Sequence, residues 1–249
     1  MPTNTLKIRR LIVGVASAFI LLFAVGAASA VSLTVVPVTI QMEPGQMVTA
    51  LTIINDGDCD CDTAFQIRAF AWTQPNGRDE LEPTDALLAS PPLGTIAAGG
   101  RQIVRVVLRQ PPQGREASYR ILLDEIPPPS APGTVRVALR LSIPIFAEPR
   151  TRVAPHVQWQ VESGTGQSFL VGINDGTRHE TVRDIKLEAP DGRVLKVMAD
   201  VNPYILAGAT KRWHIVTPLP PLAPGAVLRL IASTDAGNID QPVRVVSGP

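Results

Sequence analysis

The residues best suited to chemistry by type and spacing lie in one acidic loop, DGDCDCD, at residues 56–62. Alternating carboxylates are typical of a Ca²⁺ loop, in which oxygen ligands recur at every second position. With Asp56 as position 1, however, Cys61 stands where such a loop needs glycine, and Ile67 stands where it needs the bidentate glutamate. The spacing therefore argues against a calcium site.

The chain contains two cysteines, Cys59 and Cys61, and both lie in this loop. In an extended chain their Cα atoms would be about 6.6 Å apart, which is near the upper limit for a disulfide. Because the N-terminal segment described below predicts export into an oxidising compartment, we expect an intramolecular bridge between them. Free thiols or an intermolecular bridge are the alternatives.

The other residues with catalytic potential are isolated along the chain. His156, His179 and His214 have no second ligand or nucleophile at a suitable spacing, and the sequence contains no HExxH, GxSxG or phosphate-binding glycine loop. We therefore expect surface or loop histidines. The sequence predicts no enzyme activity, no metal site and no cofactor.

The stretch VRVALRLSIPIF, at residues 135–146, has the clearest structural pattern in the chain. Apolar residues recur at every second position, as in a strand with one apolar face; they are Val135, Val137, Leu139, Leu141 and Ile143. Pro144 and Pro149 follow, and proline favours an edge strand because it cannot donate a ladder hydrogen bond. Such an edge can pair with another chain, although an ordinary amphipathic strand has the same pattern.

The rest of the chain predicts an all-β protein. Short alternating segments, the first at residues 32–41, are separated by turns, and the chain has 24 prolines and 19 glycines with almost no helical periodicity. Six or seven strands in roughly 110 residues are typical of an immunoglobulin-like β-sandwich. We predict two such domains, residues 31–149 and 150–249, joined by a short link that leaves a cleft between them.

The N-terminus predicts a secretory signal peptide at residues 1–30. Basic residues precede an apolar run at 11–26, and the small residues Ala28, Ser29 and Ala30 follow it. The run is shorter than the roughly 20 residues that span a bilayer, which favours cleavage after Ala30 over a retained anchor. We expect no membrane span after cleavage. A net charge of +1 and 4% aromatic residues give no footprint for nucleic acid, so we expect protein partners.

The order of these segments resembles that of the PapD-like periplasmic chaperones of chaperone–usher pilus assembly. The resemblance covers residues 32–149 and is closest to the divergent branch that serves spore-coat-U-like pilins, whereas residues 150–249 match only in general plan. The motifs that carry it are SLTVVPVTIQMEPGQ, TIINDGD, QIRAFAWTQ, LLASPPLGTIAAGGRQIVRVVLR, SYRILLDEIPP and VRVALRLSIPIFAEP.

The resemblance implies a boomerang of two immunoglobulin-like domains set at an angle. It implies a periplasmic chaperone, not an enzyme, that captures pilin subunits and delivers them to an outer-membrane usher. Family subunits lack their last strand, and a strand of the chaperone fills the gap by donor-strand complementation. Carried onto this chain, the core donors are Val137, Leu139 and Leu141, with Val135 and Ile143 flanking them.

One departure from the family concerns the basic residues that bind the subunit's C-terminal carboxylate. The matching positions here are Pro37 and Pro144, and neither proline can bind a carboxylate ionically. Arg120, in the SYR segment, is the first candidate to replace them, because a guanidinium binds a carboxylate in bidentate fashion. Arg105 resembles a family-typical arginine and is the second candidate, with a structural role favoured.

Two alternatives follow for the acidic residues nearby. Arg120 could instead pair with Asp124 or Glu125 and only brace the first domain. Glu125 matches the family's interdomain acidic residue, but the position expected for its arginine partner is Glu148.

Two other functions are compatible with exported β-sandwiches. An immunoglobulin-like adhesion or scaffolding module without a pilin partner would share the fold. A secreted hydrolase is disfavoured, because the sequence contains no catalytic constellation.

Overall fold

A computed structural model describes residues 33–57, 61–128, 137–151, 153–164, 166–198, 200–216 and 222–248. In these ranges the regular structure is β-strand apart from one 3₁₀ turn, Pro75–Gly77, which confirms the all-β prediction. None of the described helical structure is long and apolar enough to cross a membrane. The predicted signal peptide, Val135 and Cys59 lie outside the described residues.

The first ten strands form a sandwich of two sheets. One sheet has the order β1-β3-β8-β6, and the other has the order β2-β10-β9-β4-β5 with β7 also paired to β4. The strands are β1 (Leu33–Val36), β2 (Ile40–Met42), β3 (Val48–Asn55), β4 (Thr63–Thr73), β5 (Glu80–Pro83), β6 (Leu87–Ser90), β7 (Leu93–Ile96), β8 (Arg101–Leu108), β9 (Ala117–Ile126) and β10 (Arg140–Ala147).

Alternation along these strands builds the first core. On β9, for example, Tyr119, Ile121 and Leu123 are buried between the sheets, while the residues between them are half-buried on the outer face. Burial of each such side chain stabilises the fold by about 1.5–3 kcal/mol relative to exposure. The outer face of β9 is therefore free to carry polar residues such as Arg120 and Asp124.

The predicted strand at residues 32–41 is wrong in one respect, because it is two strands in different sheets. β1 pairs with β3, and β2 pairs in parallel with β10. Pro37 lies just after β1 and has no N–H to donate, so the ladder cannot continue through it. The chain crosses between the sheets at residues 37–39 and comes to lie beside β10.

The last eight strands form a second sandwich around a separate core. Their order is β14-β16-β12-β11-β18-β17-β13-β15, and an additional pairing of β14 with β13 joins distant strands of the sheet. The strands are β11 (Val157–Ser163), β12 (Ser168–Asn174), β13 (Glu180–Glu188), β14 (Val194–Val197), β15 (Tyr204–Ile205), β16 (Thr210–Val216), β17 (Val227–Thr234) and β18 (Gly237–Ser247). The predicted boundary at residue 149/150 stays a prediction.

A third, smaller cluster joins the two sandwiches. Trp72 and Phe146 from the first sandwich pack with Leu206 and Tyr204 from the second. The amide of the buried Gln74 donates to the Tyr204 carbonyl oxygen at 3.0 Å and accepts from the Leu206 N–H at 2.9 Å. The sandwiches thus share both apolar and hydrogen-bonded contacts.

Candidate functional site: the open edge of β10 and the adjoining cleft

β10 has a partner strand on both sides along only part of its length. It pairs with β9 over its full length, Arg140–Ala147, but β2 lies on its other side only at Ile145–Ala147. Within the described part of the chain, residues 137–144 therefore have no strand on their outer side. We call residues 137–144 the open edge.

The backbone of the open edge alternates between β9 and the outside. The Leu139 carbonyl oxygen accepts from the Glu125 N–H at 2.9 Å, so the main-chain groups of Leu139 and of alternate residues after it face β9. The N–H and C=O groups of Arg140 and Ser142 consequently point outward. Unpaired groups of this kind are a template for another strand.

The predicted donor side chains differ greatly in exposure. Val137 is 88% exposed, Leu139 and Leu141 are partly buried against the first core, and Ile143 is 3% exposed. Val137, Leu139 and Leu141 are therefore wholly or partly exposed, and a partner could cover them. Ile143 belongs to the sandwich's own core, and Val135 lies outside the described residues.

Acidic residues of β9 hold the beginning of the open edge in place. The buried Glu125 accepts the Leu139 N–H at 3.1 Å. Asp124 accepts from Arg140 and, at 2.7 Å, from Arg68. Although desolvation opposes it, hydrogen bonds from these two guanidinium groups lower the pKa of Asp124 below its ordinary value.

Arg120 lies in the cleft between the sandwiches. It stands directly across from Pro144 on the neighbouring strand, and its guanidinium carbon is 3.8 Å from the centroid of the Trp72 ring. Its Nη1 approaches the Ser142 Oγ at 3.4 Å. Among the described residues no carboxylate forms an ion pair with it, so the alternative pairings with Asp124 and Glu125 are not formed.

The cleft around Arg120 has a volume of about 480 Å³. Its lining residues come from both sandwiches. They are Val38, Thr39, Trp72, Asp79, Leu81, Arg120, Ser142, Pro144, Asp200, Val201, Asn202, Pro203 and Tyr204. Burial lowers the pKa of the Arg120 guanidinium, and the negative charge of Asp79 opposes that shift. The group stays charged.

Asp79 is already engaged with other partners. It accepts from the Trp72 indole N–H at 3.0 Å and from the Gln74 amide at 2.9 Å. These bonds orient the Trp72 ring beneath Arg120. The cleft therefore presents one cation without an ion-pair partner, in the part of the chain that the structure describes.

Arg105 lies elsewhere. It is exposed on β8, across from Ala50 and Ser90, in the sheet that does not contain β10. It does not line the cleft. The structure thus places one of the two candidate arginines beside the open edge and the other on a different face.

The acidic loop shows no metal site among its described residues. Cys61 is disulfide-bonded, and its carbonyl oxygen accepts from the Asn55 side-chain amide at 2.9 Å. The other cysteine of the sequence, Cys59, lies outside the described residues, so their pairing stays a prediction.

His179 lies in the loop between β12 and β13, within the expectation of surface or loop histidines, but its side chain is not at the surface. His156 is exposed and bound to Asp175, but His179 is buried between the sandwiches. Its Nδ1 lies 2.7 Å from Oε1 of the buried Glu116. Glu148, where the resemblance implies an arginine, is itself paired with Arg178 of the second sandwich at 3.3 Å.

Sequence reasoning also missed the aromatic floor of the cleft. Trp72 and Phe146 are buried, although both are out of phase with the inward-facing residues of their strands. A large aromatic residue on the outward phase of a strand signals contact with a second layer. That signal could have identified both residues.

Comparisons with known proteins agree with this geometry. Residues 32–152 match the family described as pili and flagellar-assembly chaperone, PapD N-terminal domain. No curated protein sequence matches the chain.

Solved structures share the fold across most of the chain. A chain of the CsuC–CsuE chaperone–tip adhesion subunit pre-assembly complex of Acinetobacter baumannii aligns with a TM-score of 0.63 and 22% identity, covering 88% of this chain and all of that one. The YadV chaperone aligns with a TM-score of 0.60 and 17% identity, covering 85% of this chain and 98% of that one. A chain from the Salmonella enterica SafA pilin–SafB chaperone complex aligns with a TM-score of 0.58 and 17% identity, covering 88% of this chain and 98% of that one.

The family match covers the sandwich that carries β10, and the shared fold extends through the second sandwich. The open edge and the cleft lie where these two parts meet. Over residues 32–152 the chain therefore belongs to the PapD-like family of pili and flagellar-assembly chaperones.

Proposed function

We propose that this protein is a periplasmic chaperone that captures pilin subunits by donor-strand complementation along the open edge of β10. The observation that carries the proposal is an unpaired edge whose alternate side chains are apolar and accessible, beside a cleft with an unpaired cation. An exposed strand edge promotes aggregation, so such an edge is a disadvantage to a protein without a partner that covers it.

Capture proceeds by strand addition. A subunit strand aligned with residues 137–144 accepts hydrogen bonds from the outward N–H groups of Arg140 and Ser142 and donates hydrogen bonds to their C=O groups. Val137, Leu139 and Leu141 enter the groove left by the subunit's missing strand. Complete burial of each contributes about 1.5–3 kcal/mol relative to full exposure, and less for the two that are already partly buried.

Ile143 plays a different part in this mechanism. Because it is fixed in the first core, it anchors the strand and keeps the open edge extended before the subunit arrives. A pre-ordered edge lowers the entropic cost of binding. Val135 extends the donor series toward the N-terminal side.

Arg120 binds the subunit's terminal carboxylate. The two prolines that replace the family's basic residues leave a cleft whose cation lies directly across from Pro144 and over the Trp72 ring. A charge-assisted contact of this kind contributes about 1.5–3 kcal/mol. Its fixed ring support favours a bidentate geometry.

The identity and location of the partners follow from the resemblance and the N-terminus. We propose spore-coat-U-like pilins as cargo and an outer-membrane usher as the acceptor. A cleaved signal at residues 1–30 and a bridge between Cys59 and Cys61 both fit an oxidising periplasm. The chaperone domains are residues 31–149 and 150–249.

Co-expression with a spore-coat-U-like pilin, followed by co-purification, tests the proposal. Val137→Asp places a carboxylate in the apolar groove and should reduce capture by roughly 100-fold or more. Because Val137 is 88% exposed, the free variant should keep its melting temperature. Ile103→Asp, on the exposed face of the other sheet, is the matched control and should capture normally. Normal capture by Val137→Asp would overturn the donor assignment.

A further inference from the structure

A turn of the second sandwich reaches into the first sandwich beside β10. It spans residues 175–179, between β12 and β13, and the Thr177 carbonyl oxygen accepts from the Glu116 N–H at 2.9 Å. The buried Asn174 shapes the turn by donating to the Arg178 carbonyl oxygen at 2.8 Å. Gly176 is required there, because a Cβ at this position would lie 2.4 Å from the backbone nitrogen of His156.

The turn delivers His179 to a buried carboxylate. Oε1 of Glu116 lies 2.7 Å from the His179 Nδ1 and accepts the His179 backbone N–H at 3.2 Å. The Glu116 side chain is completely buried, and burial of a carboxylate is costly unless it is paired. Arg178 completes the pairing, with its Nε 3.8 Å from the other Glu116 oxygen and 3.3 Å from Glu148.

One face of the His179 ring packs against Phe146 of β10. It stacks on Phe146 with 3.6 Å between ring centroids and an interplanar angle of 12°. Phe146 lies two residues beyond Pro144. Its ring centroid is 5.1 Å from that of Tyr204 and 5.9 Å from that of Trp72. A continuous series of ring contacts therefore runs from His179 to the Trp72 ring beneath Arg120.

We propose that Glu116 and His179 are positioning residues for the carboxylate contact of Arg120. Their hydrogen bond sets the depth of the His179 ring against Phe146, and thereby the place of Tyr204 and Trp72 in the cleft. The inference rests on the proposed function of Arg120. It adds that carboxylate recognition depends on a contact at the far end of the aromatic cluster, made by residues that do not line the cleft around Arg120.

The test measures carboxylate recognition separately from capture. The chaperone is co-expressed with two differently tagged copies of its pilin, one with the native C-terminus and one extended by two residues, and their ratio in the purified complex is measured by mass spectrometry. Wild type should prefer the native terminus by roughly 10- to 100-fold, the range of one charge-assisted contact. His179→Ala should lower this preference by about tenfold, because a guanidinium moved from its place loses the bidentate geometry.

Three further variants complete the test. His214→Ala removes a half-buried histidine of β16 that contacts Phe169, away from the 175–179 turn, and should leave the preference unchanged. Glu116→Gln keeps an acceptor for Nδ1–H and should retain most of the preference, whereas Glu116→Ala should lose it. Thermal unfolding of each variant shows whether the first sandwich is intact.

Three outcomes would contradict the proposals, and they are distinguishable. A wild-type preference near unity would refute the role of Arg120 itself. A strong wild-type preference that His179→Ala and Glu116→Ala both retain would overturn the positioning role while leaving Arg120 in place. Equal loss of the preference in His214→Ala would also refute it.

Discussion

The two ends of β10 have different surroundings. Along residues 137–142 the strand has a partner on one side, and its side chains are exposed or half-buried. At Ile145–Ala147 it is flanked by β9 and β2, and every side chain is buried. One end is complete within the molecule and the other is complete only with a partner, which is how a single strand can serve both the chaperone's fold and its cargo.

Other sheet edges of the molecule are treated differently. β5 is a four-residue edge strand that carries Glu80, Glu82 and Pro83, and charge and proline both block strand addition. In the second sandwich, β14 pairs with both β13 and β16. The open edge of β10 differs from these two strands in presenting Val137 and, half-buried, Leu139 and Leu141 along one face.

The largest effect should come from Ile143→Asp. Ile143 is 3% exposed, and an unpaired carboxylate there should destabilise the first sandwich by several kcal/mol, enough to prevent folding. Val137→Asp, by contrast, should unfold at the wild-type temperature. Circular dichroism melts of the two free variants locate the point where the donor face becomes core. A folded Ile143→Asp variant would place that point further along the strand.

A smaller effect is expected from Arg120→Ala, at the junction of the two ends. Capture of the pilin should weaken by roughly one to two orders of magnitude at an unchanged melting temperature, because one charge-assisted contact is lost. Arg105→Ala is the matched control and should capture normally. Wild-type capture by Arg120→Ala, or a stability loss that accounts for the whole defect, would remove Arg120 from the mechanism.

The smallest effect concerns pH and the beginning of the open edge. The folded-state pKa of Asp124 is depressed, so its contribution to stability is present above the unfolded pKa of about 3.9 and is lost as the pH falls through the folded value. The midpoint urea concentration for unfolding of the wild type should therefore fall below about pH 4. Asp124→Asn should reduce that pH dependence, and an identical pH profile in both proteins would show that Asp124 does not contribute.

The sequence predicted the donor strand better than it predicted its limits. Period-2 alternation identifies Val137 to Ile143 as one face, but it cannot distinguish Val137 from Ile143, because exposure depends on which strand lies alongside. Short strands such as β5 and β7 were missed because four residues containing proline or glycine give little periodic signal.

The contact between the sandwiches was the least predictable feature. Glu116 and His179 are distant in sequence and meet only because the two sandwiches pack in one particular way. Neither residue belongs to a motif. Arg120 was predicted from the SYR segment that resembles the family, and the structure places it in the cleft, directly across from Pro144. Its role as the carboxylate anchor stays a prediction.

Amide hydrogen exchange along β10, with and without bound pilin, tests the central claim most directly. In the free protein the outward N–H groups of Arg140 and Ser142 should exchange rapidly, while those of Leu141 and Ile143, bonded to β9, should be protected. In the complex all four should be protected, because the subunit strand takes up the outward pair. Continued rapid exchange at Arg140 and Ser142 in a stable complex would show that the pilin binds elsewhere and would contradict the account.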